Sequence, residues 1–125
     1  MTESKPNPEH IAADFIGRWQ RAWNSQGAAA AAQLYAENGV LVGSAIAIGR
    51  PAIERSLGML YAARWTTIAI KLIINAREVG GVVPAACEFT ATGSGPSEGK
   101  LLNGRSSHAL TCAEGRWISA MHSAA

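Results

Sequence analysis

Apolar residues along the first quarter of the chain recur every fourth position. Ile11, Phe15, Trp19 and Trp23 make one stripe, widened by Ala12, Ile16 and Ala22, while Arg18 and Arg21 fall off it. That period predicts an amphipathic helix. Asn7 is suited to cap it, Pro8 to its first turn, and Glu9 to the positive end of its dipole. Gln26-Gly27 ends it, and five alanines, Ala28 to Ala32, begin a short second helix expected to reach Tyr35. The alanine run reads as a helix packed too closely for larger side chains. Asn38-Gly39 signals a turn. Short strands are expected at 40–42 and 46–48, joined by Gly43-Ser44-Ala45, and Pro51 opens a third helix over 52–63 bearing Ile53, Leu57, Leu60 and Tyr61.

From Thr66 the period changes to two. Thr66, Ile68, Ile70, Leu72, Ile74 and Ala76 share one face of a predicted strand over 66–77. Gly80-Gly81 is a hairpin turn. The strand over 82–92 places Val83, Ala85, Cys87, Phe89 and Ala91 on one face and Glu88, Thr90 and Thr92 on the other. Pro84, which lacks a ladder donor, implies an edge or a bulge near its start. A loop over 93–99, a strand over 100–112, a Glu114-Gly115 turn and a strand over 116–123 complete the chain. The order α-α-β-β-α-β-β-β-β puts helices first and antiparallel strands last. The class is α+β, a curved sheet wrapped around the N-terminal helices, with room for a pocket on its concave side.

Composition narrows the reading. The 125 residues suit one domain behind a tail at 1–6, and 48% of them are hydrophobic, which excludes a disordered chain. The net charge is +2, and Arg18, Arg21, Arg50, Arg55, Arg64, Lys71 and Arg77 are dispersed, so no basic run tracks a nucleic-acid backbone. Two cysteines, Cys87 and Cys112, are too few for a soft metal site, and no cofactor motif occurs. A polar N-terminus and the lack of a long apolar run point to a cytoplasmic protein with no membrane span.

Several pieces in this order resemble the nuclear transport factor 2-like superfamily, with its SnoaL-like and steroid-isomerase-like branches. They are Trp23-Asn24 at a helix end, Leu34-Tyr35-Ala36-Glu37-Asn38, Gly49-Arg50-Pro51-Ala52-Ile53, and the closing Gly115-Arg116-Trp117, and the resemblance spans about residues 8 to 122. It implies a cone-shaped, cystatin-like fold and a pocket for a small apolar molecule, and apolar residues on both faces of the strands over 66–77 and 82–92 predict a homodimer. The reaction it implies is cofactor-independent proton transfer on a carbonyl or polyketide-like compound. The carboxylate base of the steroid isomerases falls on Gly43, and their helix-borne tyrosine on Trp19, whose indole donates a single hydrogen bond. Their second oxyanion donor falls on His108 by one count and Ser107 by another. A paired-aspartate epoxide hydrolase is excluded, because Asp14 is the only aspartate.

The candidate chemistry follows. Glu88 is a general base if its face lines the pocket, and a surface acid otherwise. His108 is an acid, base or donor at a pocket wall, or a bonded core histidine; His122 is a weaker candidate of the same kind. Trp19, Tyr35 and Tyr61 are candidate ligand-binding aromatics. Arg105 offers either a clamp for a ligand oxygen or a cross-strand partner for Glu88 or Glu114. The alternative is a non-catalytic binding or dimerisation module, favoured by the empty position at Gly43.

Overall fold

The computed structural model describes residues 7–73 and 77–124. The tail at 1–6, and the end of the expected third strand at Ile74 and Ala76, lie outside the described residues. Helix α1 spans Pro8–Gln26 and α2 Ala28–Ala32; strands β1 and β2 span Tyr35–Val42 and Ile46–Ile48. Helix α3 spans Arg50–Ala62, followed by β3 at Thr67–Leu72 and β4 at Val82–Thr92. A 3₁₀ turn at Gly95–Ser97 precedes β5 at Leu101–Ala113 and β6 at Arg116–Ala124.

The N-terminal cap forms as expected: Asn7 Oδ1 accepts from the Glu9 amide at 2.9 Å. The stripe Ile11, Phe15, Trp19 and Trp23 is buried along the whole of α1. Tyr35 lies past the end of α2, because the helix stops at Ala32 and the chain turns into β1. Ala31 and Ala32 have no exposed surface, consistent with close packing at the alanine run.

The six strands form one sheet in the order β2-β1-β6-β5-β4-β3. All neighbours pair antiparallel except β1 and β6, which run parallel. The inner face carries Val83, Ala85, Cys87 and Leu110, all buried against Phe15, Tyr35, Ile53 and Leu57. The register of β4 on β5 runs unbroken from Val82–Thr111 to Thr92–Leu101. Pro84 therefore marks no bulge in that ladder: it pairs with Ala109 inside the sheet, beyond the last described β3 partner of β4.

The β5–β6 hairpin does contain a bulge. Its pairs run Ala113–Arg116 to Leu110–Ser119, then resume at Ala109–Met121, leaving Ala120 unpaired. The shift aligns His108 with His122 on the inner face.

Candidate functional site

The concave side of the sheet holds a cavity of about 570 Å³, walled by Trp19, Trp23, Trp65, Ile68, Ile70 and Phe89. Among the described residues its lining includes no Asp, Glu, Lys or Arg, and its polar members include Ser106, His108 and His122. The two histidines are 4% and 7% exposed. Their rings stack with centroids 3.8 Å apart and planes at 16°, and Phe15 meets His108 edge-on at 5.0 Å.

Hydrogen-bond directions fix the two rings differently. Ser119 Oγ donates to the Met121 carbonyl at 3.0 Å. Its single proton is thereby used, so Oγ accepts from His108 Nδ1 at 2.9 Å and His108 carries its proton on Nδ1. On the other ring, Trp19 Nε1 donates to Tyr35 Oη at 3.1 Å. Among the described residues the only acceptor left beside the Tyr35 hydroxyl is His122 Nδ1, at 2.7 Å, so Tyr35 donates and His122 carries its proton on Nε2. No buried side-chain polar atom among the described residues lacks a partner. The Nε2 atoms are thus the ring nitrogens left to the cavity, an acceptor on His108 and a donor on His122.

Burial keeps both rings neutral. His108 is held well below the ordinary histidine value, first by desolvation and then by the charge His122 would carry. Desolvation brings His122 down to about 4. Tyr35 is fully buried, and desolvation raises its hydroxyl above the usual phenol range, so it stays protonated.

The candidates read from the sequence separate accordingly. His108 faces inward and Ser107 outward, which removes the ambiguity of one residue. Trp19 lines the cavity, but its indole N–H is spent on Tyr35 and is not a ligand donor. Tyr35 is not in the cavity wall: it sits behind His122 and holds it. Tyr61 packs edge-on to Trp23 at 5.3 Å, against Gly27, rather than on the cavity. Gly27 has a positive φ of 90°, and a Cβ there would meet the Tyr61 ring at 3.2 Å.

Glu88 and Arg105 are exposed on the outer face, directly opposite one another, beside a separate hollow of about 290 Å³. Strand alternation is the reason: inner Cys87 puts its neighbour Glu88 outside. The residues that sequence reasoning underweighted are His122, Ser119 and the relay through Tyr35. Arg50 donates to the Tyr35 carbonyl at 2.9 Å and secures the start of β1. Among the described residues, no three His, Cys, Asp or Glu side chains cluster as metal ligands would, and no helix is long and apolar enough to cross a membrane.

No protein-family model and no curated protein matches the chain. Solved structures do. A ketosteroid isomerase-like protein from Erwinia carotovora atroseptica superposes with TM-score 0.77 at 15% identity, over 93% of each chain. An NTF-2 like protein of unknown function from Shewanella oneidensis gives TM-score 0.77 at 12% identity, over 94% of this chain and 98% of its own. A hypothetical protein of ketosteroid isomerase-like fold from Catenulispora acidiphila, in complex with trimethylamine, gives 0.64 at 16%, over 90% and 84%. The α+β architecture is thus the nuclear transport factor 2-like, ketosteroid isomerase-like fold.

Proposed function

We propose that the cavity binds a small, neutral, apolar carbonyl compound and that the histidine pair carries out cofactor-independent proton transfer on it. The observation that carries this reading is the stacked pair His108–His122, which offers one acceptor and one donor at the base of an uncharged cavity. His108 Nε2 takes a proton from the carbon beside the carbonyl, giving an imidazolium and an enolate. His122 Nε2–H donates a hydrogen bond to the enolate oxygen as charge grows there. His122 keeps its own proton, because Tyr35 behind it is too weak an acid to replace it. Return of the proton from His108 to the same or a conjugated carbon gives exchange or isomerisation. A protein of this fold from Catenulispora acidiphila is in complex with trimethylamine, which supports small-molecule binding by a chain of this fold.

The test is carbon–hydrogen exchange of deoxybenzoin in D₂O, followed by proton NMR. The expected outcome is a buffer-corrected exchange rate that falls about 100-fold in His108→Ala and in His122→Ala. Exchange that is absent in the parent protein, or unchanged by both substitutions, sinks the catalytic reading. Binding retained without exchange, read by tryptophan fluorescence, leaves the non-catalytic binding module in its place. A homodimer through the outer face of the sheet is the second part of the proposal. It rests on Ile46, Ile48 and Met121, which are 67%, 71% and 48% exposed.

A further inference from the structure

The two histidines differ in which nitrogen is protonated, and the difference is imposed from behind. Ser119 is fully buried and hands its proton to a backbone carbonyl, so it accepts from His108 and forces the Nδ1–H form. Tyr35, also fully buried, takes the Trp19 indole proton as an acceptor and gives its own to His122, forcing the Nε2–H form. Neither Tyr35 nor Ser119 touches the cavity. The ring edges they control do, side by side in a 3.8 Å stack. A ligand at this floor meets an acceptor and a donor next to each other, and no charged side chain among the described residues.

We infer that the site selects neutral α-hydroxycarbonyl compounds with an apolar body, and that Tyr35 and Ser119 are positioning residues that write this preference through the tautomers of His122 and His108. The ligand hydroxyl donates to His108 Nε2, and the adjacent carbonyl accepts from His122 Nε2–H. A simple ketone leaves the His108 acceptor without a partner. An ether in place of the hydroxyl presents a lone pair to a lone pair. An ionised carboxylate has no proton for His108, and no cation waits to receive its charge. The inference rests on the binding half of the function proposed above and names the ligand class for that site.

Two readouts test it, on the full chain at pH 7. The first is nitrogen-15 NMR of the imidazoles without ligand, which distinguishes Nδ1–H from Nε2–H at each ring. The expected spectrum has His108 protonated on Nδ1 and His122 on Nε2. Tyr35→Phe releases His122 alone into a tautomer mixture, and Ser119→Ala releases His108 alone. A merely structural role for either residue would not move the tautomer of one specific ring. The second readout is the affinity of benzoin, deoxybenzoin and benzoin methyl ether, measured by tryptophan fluorescence. Benzoin is expected to bind about tenfold tighter than the other two, the worth of one well-made hydrogen bond. Ser119→Ala is expected to erase most of that advantage.

Both rings in the same tautomer, equal affinities for the three compounds, or binding of none of them at millimolar concentration would overturn the inference. Neither readout requires turnover. A tenfold preference without carbon–hydrogen exchange defeats only the catalytic reading, and exchange without the preference defeats only this one.

Discussion

At the residue scale the central fact is that two imidazoles are kept neutral inside the protein. The unfolded chain, whose histidines titrate at their ordinary values, takes up protons that the folded chain refuses. For His122 the unfolded state binds more protons between pH 6.5 and about 4, so its contribution to stability falls as pH falls through that window and levels off below it. At about 1.4 kcal/mol per unit, His122 alone accounts for about 3 kcal/mol of this loss. His108 acts in the same direction. Urea unfolding at pH 7.5, 6, 5 and 4 should show the decline, and a flat profile would mean that the rings protonate in place. The acid limb of any turnover should likewise lie below the ordinary histidine value, since His108 is the base. Removing the Tyr35 hydroxyl strands two buried partners, Trp19 Nε1 and His122 Nδ1. Tyr35→Phe is expected to cost about 2 kcal/mol in urea unfolding, more than the loss of a solvent-bonded hydroxyl.

At the scale of elements, helix α1 does more than bury a stripe. Strand β3 is an edge strand, and its outward backbone groups would otherwise be open. Asn24 closes them twice: its Nδ2 donates to the Ile68 carbonyl at 3.0 Å, and its Oδ1 accepts from the Ile68 amide at 2.8 Å. Gln20, one turn earlier, accepts from the Ile70 amide at 2.8 Å. The two side chains sit four residues apart on α1, which matches the two-residue step between outward amides on β3. Replacing both Gln20 and Asn24 by alanine should cost about 2 kcal/mol in total, because water recovers part of each exposed bond. Amide hydrogen exchange of Ile68 and Ile70 should accelerate while that of β5 stays slow; uniform acceleration would refute a local role. The helix-period stripe was legible in the sequence. The partner of its polar edge was not, since Asn24 and Ile68 are 44 residues apart.

At the scale of the molecule, the sheet separates two chemistries. The concave side holds a cavity with no charged side chain among the described residues; the outer side carries Glu88, Arg105 and Lys71 in a row across β4, β5 and β3. Farther along the same face, Ile46, Ile48 and Met121 leave an exposed apolar area over β2, β1 and β6. If this area joins two copies, sedimentation velocity should give a dimer, and Ile48→Glu with Met121→Glu should shift it to monomer. A monomer for the parent chain at tens of micromolar would refute the homodimer. Gly43, where the resemblance places a carboxylate, borders the cavity and is itself exposed, and a Cβ there would touch nothing within 4 Å. Space for a side chain is available at that position, and the chain does not use it.

Local periodicity and turn chemistry determined the element order, the buried face of α1, the inner face of β4 and the cap at Asn7, because each depends on residues within a few positions. Face alternation, once Cys87 was inward, also set Glu88 away from the cavity, whereas Arg105 faces away because the register of β4 on β5 sets it opposite Glu88. The pairing of the histidines was decided by tertiary structure. Counted back from the Glu114-Gly115 turn without interruption, the hairpin register that pairs Leu110 with Ser119 would set His122 opposite Ser107, on the outer face. The single bulge at Ala120 shifts that register by one and turns His122 inward, against His108. The protonation pattern likewise depends on Tyr35 and Ser119, which reach the histidines from 87 and 11 residues away. No local pattern in the sequence encodes those approaches: Tyr35 meets His122 only once β1 lies beside β6, and Ser119 meets His108 only through the bulged register of β5 on β6.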